Sequence, residues 1–155
     1  MADEPMENLA LFGMTEEETT QVIKEAGGGT VTWLRRDGHP TGAYVAIEMI
    51  DGQIYTTSTN DRGKNKAWRR DPRTAFVFDV PGKGGVTAIG RIVFEEDPAV
   101  KMRLYNTMAD RVNLKGRRRE SFIGHMNTSG REVVRLVVDK YVTLHTGKVG
   151  VAMVS

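Results

Sequence analysis

A polar stretch between Thr56 and Lys66 holds the residue types best suited to binding an anion. Its first half ends a strand-like run in hydroxyl side chains, and a helix is predicted to begin near Gly63. The first amides of a helix carry a partial positive charge, so phosphate binds well there, and the Lys64 ammonium adds a donor. A solvated polar connection is the alternative. The candidate ligand-binding residues are Thr56, Thr57, Ser58, Thr59, Arg62, Gly63 and Lys64.

Residues 61–73 form the densest basic stretch of the chain. Six positive residues stand against two negative ones, and Arg69 or Arg70 is expected to pair with Asp71 or with the acidic N-terminal segment. A nucleic acid is disfavoured as the partner because no nucleic-acid-binding module is visible and aromatic residues are not interleaved with the cations. The second basic run, Arg117–Arg119, is typical of a solvated face.

The chain lacks the usual signatures of a self-sufficient catalyst. It contains no cysteine, and its three histidines show neither the spacing nor the carboxylate neighbours of a metal site. No serine lies in a nucleophile elbow. We therefore expect no metal, and if the protein is an enzyme, a bound cofactor carries the chemistry.

The elements that must position these residues begin with a helix. Thr15 and Glu18 form a capping box, and the helix runs to about Ala26 before three glycines. Strand-like runs at 30–36, 40–50 and 53–59 follow, separated by two Asp-Gly turns, which predicts a three-stranded meander.

The rest of the chain alternates short helices with strands. Helices are predicted at 64–70 and 97–112, and strands at 73–80, 86–95, 132–138 and 141–146. Residues 115–119 are predicted to be a basic loop or helix end, and His125 lies in a predicted loop. Mostly antiparallel strands with tight turns favour a small closed or split barrel.

The length and the charge of the chain limit the classes of protein to which it can belong. The 155 residues suit one compact domain, divided into an acidic N-terminal segment with a short helix (1–26) and a barrel (27–155). Residues 1–25 hold seven acidic residues against one lysine, a net −6; since the whole chain is +2, the remainder is +8 and favours an anionic partner. An acidic start and no apolar run of membrane-spanning length predict a cytoplasmic protein without a membrane span.

Three stretches resemble the pyridoxamine 5′-phosphate oxidase-like split β-barrel family of flavin and deazaflavin binders. The first is Asp37-Gly38-His39-Pro40 before a long strand that ends at Asp51-Gly52. The second joins the Ile54–Ser58 strand to Lys64 and then to Arg70-Asp71-Pro72-Arg73, and the third is Ile89-Gly90-Arg91-Ile92-Val93.

The resemblance implies a mainly β protein, an FMN-binding-like split β-barrel of six or so antiparallel strands with flanking helices. It implies a homodimer with cofactors between the barrels, the phosphate held by Lys64 and the turn before it. Residues 40–45 would lie along the cofactor ring, so Thr41 and Ala43 would flank it. Tyr44 is a candidate substrate-side wall or proton donor, with barrel packing as its alternative role.

Three departures from the pattern narrow the function. Where pyridoxamine-phosphate oxidases place an arginine and a lysine, this chain has Ala43 and Glu48, and Arg62 replaces a serine. Vitamin B6 oxidation is therefore disfavoured. The pattern is closer to the actinobacterial branch that resembles binders of coenzyme F-420, with FMN as the second candidate. We expect hydride transfer to a small unsaturated or quinone-like substrate; the alternative is a non-catalytic F-420, FMN or haem carrier.

Overall fold

The computed structural model describes residues 9–154, which form one antiparallel sheet with helices around it. The strands are β1 (Gly28–Leu34), β2 (Pro40–Ala46), β3 (Glu48–Ile50), β4 (Gln53–Thr59), β5 (Arg73–Val80), β6 (Gly84–Glu95) and β7 (Arg131–His145). A 3₁₀ helix at Leu9–Phe12 precedes the helices α1 (Glu16–Ala26), α2 (Gly63–Arg70), α3 (Pro98–Arg111), α4 (Gly116–Met126) and α5 (Thr146–Val154). Within this range no helix is long and apolar enough to cross a membrane.

The sheet curls because two consecutive strands lie at its opposite edges. The strand order is β2-β1-β5-β6-β7-β4-β3, yet only Ile47 separates β2 from β3. Ile47 is buried, and its amide donates to the carbonyl of Gly27 at 3.3 Å. The Thr56 hydroxyl donates to the carbonyl of Ala46 at 2.7 Å, which links β4 to the end of β2. The result is the barrel with flanking helices that the sequence predicts, built from seven strands.

The inner face of the barrel carries the main core. On β5, the buried side chains of Phe76 and Phe78 alternate with the exposed Val77 and Asp79, as the period of a strand requires. Trp68 of α2 closes one end of the barrel and donates from its indole N–H to the carbonyl of Thr32 at 3.0 Å. Helix α2 is therefore held in place by a fully buried aromatic ring.

The outer face is covered over only part of its width. Side chains from β4 and β7, among them Tyr55 and Val133, form a second core with residues of α3 and α4, including Leu104, Tyr105 and Met126. In the part of the chain that the structure describes, the outer face of the other strands is bare, with Val77, Ile89 and Val142 exposed. One row of directly paired residues crosses it: Tyr44, Thr30, Val77, Thr87 and Val142.

Several predicted boundaries are confirmed. Thr15 and Glu18 form the capping box of α1, which ends at Gly27 with a φ of 61°. Helix α2 ends one residue before Asp71-Pro72, and the carboxylate of Asp97 caps α3 by accepting from the amide of Ala99 at 2.9 Å. Each of these signals involves residues close together in the chain, so it can be recognised in the sequence without the tertiary structure.

The predicted meander is wrong in one respect. The middle strand of the prediction, 40–50, breaks at Ile47 into β2 and β3, and each half pairs with a different edge of the sheet. The two predicted last strands are one long strand, β7, with Asp139 as an extra residue opposite the Ile89–Gly90 step. The bulge keeps β7 continuous where the sequence pattern changes phase.

Residues 116–119 form the first turn of α4 and Lys115 is its N-cap residue, so this stretch is a helix end and not a loop. His125, predicted to lie in a loop, is inside the same helix. This helix has no Ser, Thr, Asp or Asn cap, since Lys115 occupies the N-cap position without a side-chain hydrogen bond. The usual start signal is therefore missing from the sequence. Helix α5 was also not predicted. The predicted N-terminal segment lies in part, at residues 1–8, outside the described residues.

A candidate anion-binding site at the start of helix α2

The turn from β4 to α2 leaves the first amides of the helix without a side-chain cap. Arg62 is the N-cap residue, its side chain makes no capping hydrogen bond, and no acidic residue lies in the first turn. Amides in this position need an acceptor from water or from a ligand. The helix start has the uncapped amides that an anion site requires, and the anion site itself stays a prediction.

Lys64 is half-buried beside two other cations. Burial is the main cause that lowers the pKa of Lys64, and the positive charges of Arg62 and Arg131 lower it further. Across residues 9–154, no acceptor lies within hydrogen-bonding distance of its ammonium group, and no carboxylate pairs with Arg62. An anion placed here would relieve the repulsion among these charges.

Arg131 is the third cation of this cluster and was missed from the sequence. It is the first residue of β7 and lies directly opposite Thr59 of β4. Its Nε is buried and has no hydrogen-bond partner in the described structure. A buried donor without a partner is costly, so this atom lacks the acceptor that such a group usually has. Only the β4–β7 pairing brings Arg131 to Lys64, and no local sequence signal indicates it.

The four candidate hydroxyls divide between the two faces of β4. Thr57 and Thr59 share the face of Arg131, whereas Thr56 and Ser58 face the other way. Every one of these hydroxyls donates its proton within the protein, to acceptors on Ala46 (2.7 Å), Glu132 (2.7 Å), Asn65 and Asp61. The donors left for a ligand are therefore the three cations and the amides of α2.

A buried polar network fixes α2 relative to β7. Asn65, which is 1% exposed, accepts from the Ser58 hydroxyl and donates to a Glu132 carboxylate oxygen at 3.2 Å. Arg69 pairs with the other oxygen of Glu132, and its guanidinium lies 3.9 Å from the centre of the Phe94 ring. Because Asn65 follows Lys64 and Glu132 follows Arg131, this network sets the distance between the two cations.

The candidate residues on β2 divide between its two faces: the ring-flanking candidates Thr41 and Ala43 lie on one face, and the substrate-side candidate Tyr44 lies on the other. Ala43 lies opposite the core residue Val31, so Ala43 and Thr41 point to the barrel interior. Tyr44 lies opposite Thr30 on the outer face and is 74% exposed. A planar ligand on one face of β2 would contact one of these sets and not the other.

No group of three or more histidine, aspartate or glutamate side chains is arranged to hold a metal ion among the described residues. His145 instead faces Glu18, with 3.3 Å between the imidazole Nε2 and a carboxylate oxygen. The donors that remain at the site, three cations and the amides of α2, suit a phosphate or a carboxylate.

The sheet curls into a barrel, helix α2 covers one end of it, and part of its outer face is bare. These features match the pyridoxamine 5′-phosphate oxidase-like split β-barrel fold. No protein-family model and no curated protein matches the sequence. Solved structures do match. The conserved hypothetical protein Rv2991 from Mycobacterium tuberculosis is 24% identical, with a TM-score of 0.80 over 91% of each chain.

Two further structures connect the fold with named functions. A candidate pyridoxamine 5′-phosphate oxidase from Listeria innocua is 20% identical, with a TM-score of 0.67 over 83% of this chain and 97% of its own. An F420 reductase is 16% identical, with a TM-score of 0.61 over 79% of this chain and 94% of its own. FAD-binding and haem-storage proteins also share the fold. At these identities the likeness establishes the fold.

Proposed function

We propose that this protein is an oxidoreductase that binds a phosphorylated flavin or deazaflavin coenzyme at the start of α2, with coenzyme F-420 favoured over FMN. The observation that carries the proposal is the cluster of Arg62, Lys64 and Arg131 around uncapped helix amides, with a buried and unpartnered Nε on Arg131. A coenzyme phosphate supplies the acceptor that this cluster lacks.

Each residue of the cluster has a distinct part. Lys64 is the main phosphate anchor because it is half-buried and no described residue accepts a hydrogen bond from its ammonium group. Arg131 donates from Nε, and Arg62 adds charge at the solvent side. The hydroxyls of Thr57 and Thr59 shape the wall on the same face while their protons remain bonded to Glu132 and Asp61.

The bound coenzyme would supply the hydride. The protein's part is to orient the ring and to keep water from it, so that the acceptor carbon of a small unsaturated or quinone-like substrate lies about 3–3.5 Å from the donor carbon. Tyr44 is the candidate substrate-side wall or proton donor, since its phenol stands on the exposed outer face of β2.

Two arguments favour F-420 over FMN. The cations of the site have no carboxylate partner in the described structure, which suits the long anion formed by the phosphodiester and acidic tail of F-420. The arginine and lysine that pyridoxamine-phosphate oxidases use for FMN are replaced by Ala43 and Glu48. An F420 reductase of the same fold adds support.

The bare outer face of the barrel supports a homodimer. Its apolar side chains remain substantially exposed: Val77 by 40%, Ile89 by 38%, Val142 by 50% and Leu144 by 43%. Several apolar side chains exposed on one face of a sheet favour an interface. Tyr44 lies in the same row of paired residues, so a second copy on this face would enclose it.

Titration of the purified protein with F-420 and with FMN tests the proposal, with quenching of coenzyme fluorescence as the readout. We expect F-420 to bind with a dissociation constant near 1 μM, which corresponds to about −8 kcal/mol, and FMN to bind more weakly. Failure of both to bind below about 100 μM would overturn the proposal. The absorbance spectrum and mass of any copurified coenzyme provide an independent check.

A non-catalytic coenzyme or haem carrier is the second candidate. All four candidate hydroxyls of β4 donate their protons to acceptors within the protein. The site is therefore rich in groups that bind an anion and poor in groups that transfer a proton, which favours a carrier. Turnover with reduced coenzyme and a panel of enones and quinones separates the two. Coenzyme binding without turnover of any acceptor would favour the carrier.

A further inference from the structure

The basic stretch 61–73 does not act as one patch, because the fold sends its cations in different directions. Arg69 and Arg73 are paired with Glu132 and Asp71. Arg62 and Lys64 belong to the proposed coenzyme site. The remaining two, Lys66 and Arg70, line a separate groove. The function proposed above assigns no role to this groove.

The groove lies between α2 and the turn that joins β1 to β2. Its volume is about 420 Å³, and its lining includes Trp33, Arg36, Lys66 and Arg70, with Gly63 at the start of α2. Three separate segments of chain therefore contribute to it: the end of β1, the following turn and one face of the helix.

The charges of the groove are not balanced. Arg35 and Asp37 also line it, and they pair with each other at 3.3 Å. No carboxylate forms an ion pair with Arg36, Lys66 or Arg70 in the described structure. Arg70 has only a long contact of 3.5 Å from Nη2 to the carbonyl of Leu34. Three positive charges thus border the cavity without an ion-pair partner of their own among the described residues; the only carboxylate in the lining, that of Asp37, is paired with Arg35.

Trp33 gives the groove an aromatic wall. The other tryptophan, Trp68, is 1% exposed and its indole N–H is bonded to Thr32. Trp33 is only partly buried, and its indole N–H has no partner among the described residues. A cationic rim beside an aromatic surface suits a ligand with a negative end and an apolar or planar body.

We propose that this groove is a second anion-binding site, which takes an organic carboxylate: the carboxylate lies against Lys66, Arg70 and Arg36, and the body of the ligand packs on Trp33. The groove shares Gly63, at the start of α2, with the proposed coenzyme site and otherwise has a lining of its own. The groove binds a carboxylate in the absence of the coenzyme.

Nuclear magnetic resonance of the two indole N–H groups tests the proposal in the full-length protein without coenzyme. The probe is 2-naphthoate, with its neutral amide as the uncharged control, and a Trp33→Phe variant assigns the signals. We expect 2-naphthoate to shift the Trp33 signal in a saturable manner while the Trp68 signal stays in place, and the amide to leave both unmoved. No saturable shift of Trp33, or an equal shift with the amide, would overturn the proposal.

Substitutions locate the charges involved. Lys66→Gln with Arg70→Gln should weaken the binding of 2-naphthoate by about tenfold or more, the effect of losing hydrogen bonds to a charged group. Arg117→Gln with Arg118→Gln removes the same charge from the exposed face of α4 and should leave the affinity within about twofold. Equal weakening in the two double variants would show a general charge effect and would also overturn the proposal.

A further arm separates the two possible sources of the carboxylate. If the Trp33 shift by 2-naphthoate persists with saturating F-420, the groove serves a separate small molecule. If F-420 abolishes it while Lys64→Ala restores it, the acidic part of the coenzyme itself occupies the groove. Both results support a carboxylate site. Because the first titration contains no coenzyme, a failure of the coenzyme proposal leaves this test intact.

Discussion

Arg111 of α3 holds both carboxylate oxygens of Glu48, a residue that is only 4% exposed. Nε donates to one oxygen at 2.5 Å and Nη2 to the other at 2.9 Å, and Nη2 also donates to the carbonyl of Lys24 at 2.7 Å. The side-chain hydrogen bond to Glu48 is the main cause that raises the pKa of Arg111. Glu48 stands where pyridoxamine-phosphate oxidases place a cation, and in this protein its negative charge is balanced by Arg111.

Arg111→Met should therefore be strongly destabilising. It leaves a buried carboxylate without a cation, and we expect the free energy of unfolding to fall by about 2–4 kcal/mol, somewhat below the loss for a fully buried pair because Arg111 is partly exposed. Chemical denaturation followed by circular dichroism measures the change.

Arg103→Met is the matched control for Arg111→Met. Arg103 also lies on α3 and also makes a two-pronged pair, with Asp51, but both partners are exposed. Its loss should matter far less because water replaces the exposed pair. If the two variants lose the same free energy of unfolding, the burial of Glu48 does not make its ion pair more stabilising than an exposed one, and the prediction is wrong.

Lys64→Ala and Arg131→Gln should each weaken coenzyme binding without unfolding the protein. Loss of a hydrogen bond to a charged group corresponds to about 1.5–3 kcal/mol, or about tenfold or more in the dissociation constant. Fluorescence titration with F-420 measures both. Arg73→Gln is the control, because it removes one charge from the same stretch at a residue paired with Asp71. An unchanged affinity in either test variant would remove that residue from the site.

As pH rises, the affinity for the coenzyme should begin to fall at a lower pH than it would if Lys64 had the pKa of an ordinary lysine. Burial and the neighbouring arginines lower the pKa of Lys64, so its ammonium loses its proton below the usual 10.5. The anion binds the charged form, so affinity is full at neutral pH and declines as pH rises through the lowered pKa. Lys64→Arg keeps its charge over this range and should abolish the decline. An identical pH profile in both proteins would contradict this assignment.

Lys64 and Arg131 show which residues of the candidate site can be predicted from the sequence and which cannot. Lys64 follows a strand and a turn in a local pattern, and it was predicted as the anchor. Arg131 reaches the same site only because β7 pairs with β4, a relationship between residues about 70 positions apart that no local pattern encodes. The same holds for Glu48, whose partner on α3 becomes visible only once the sheet has curled.

Val142→Lys should separate the proposed homodimer. Val142 lies at one end of the bare row that runs across the outer face to Tyr44, and a lysine there would have to be desolvated in an interface. We expect the wild-type protein to run as a dimer at micromolar concentration and the variant as a monomer, measured by size-exclusion chromatography with light scattering. Val112→Lys, at an apolar residue that is 63% exposed just after α3, is the control and should remain dimeric.

Acid should loosen the contact between α1 and α5 through Glu18. The Glu18 carboxylate accepts from the Lys148 ammonium at 2.7 Å and from the amide of Thr15 at 3.0 Å, and His145 faces it. These contacts lower the pKa of Glu18 from 4.5 to about 2, with the Lys148 hydrogen bond as the largest cause. The unfolded chain therefore binds this proton first, so the stabilising effect is complete above pH 4.5 and is lost as pH falls toward 2.

Glu18→Gln should accordingly lower the melting temperature at neutral pH and flatten its decline between pH 4.5 and 2, because glutamine has no proton to gain. Thermal unfolding followed by circular dichroism across this range measures both effects. Glu17→Gln removes the adjacent carboxylate, which makes no hydrogen bond or ion pair in the described structure, and should follow the wild-type curve. A Glu18→Gln curve parallel to the wild type would show that the ion pair with Lys148 does not form in solution.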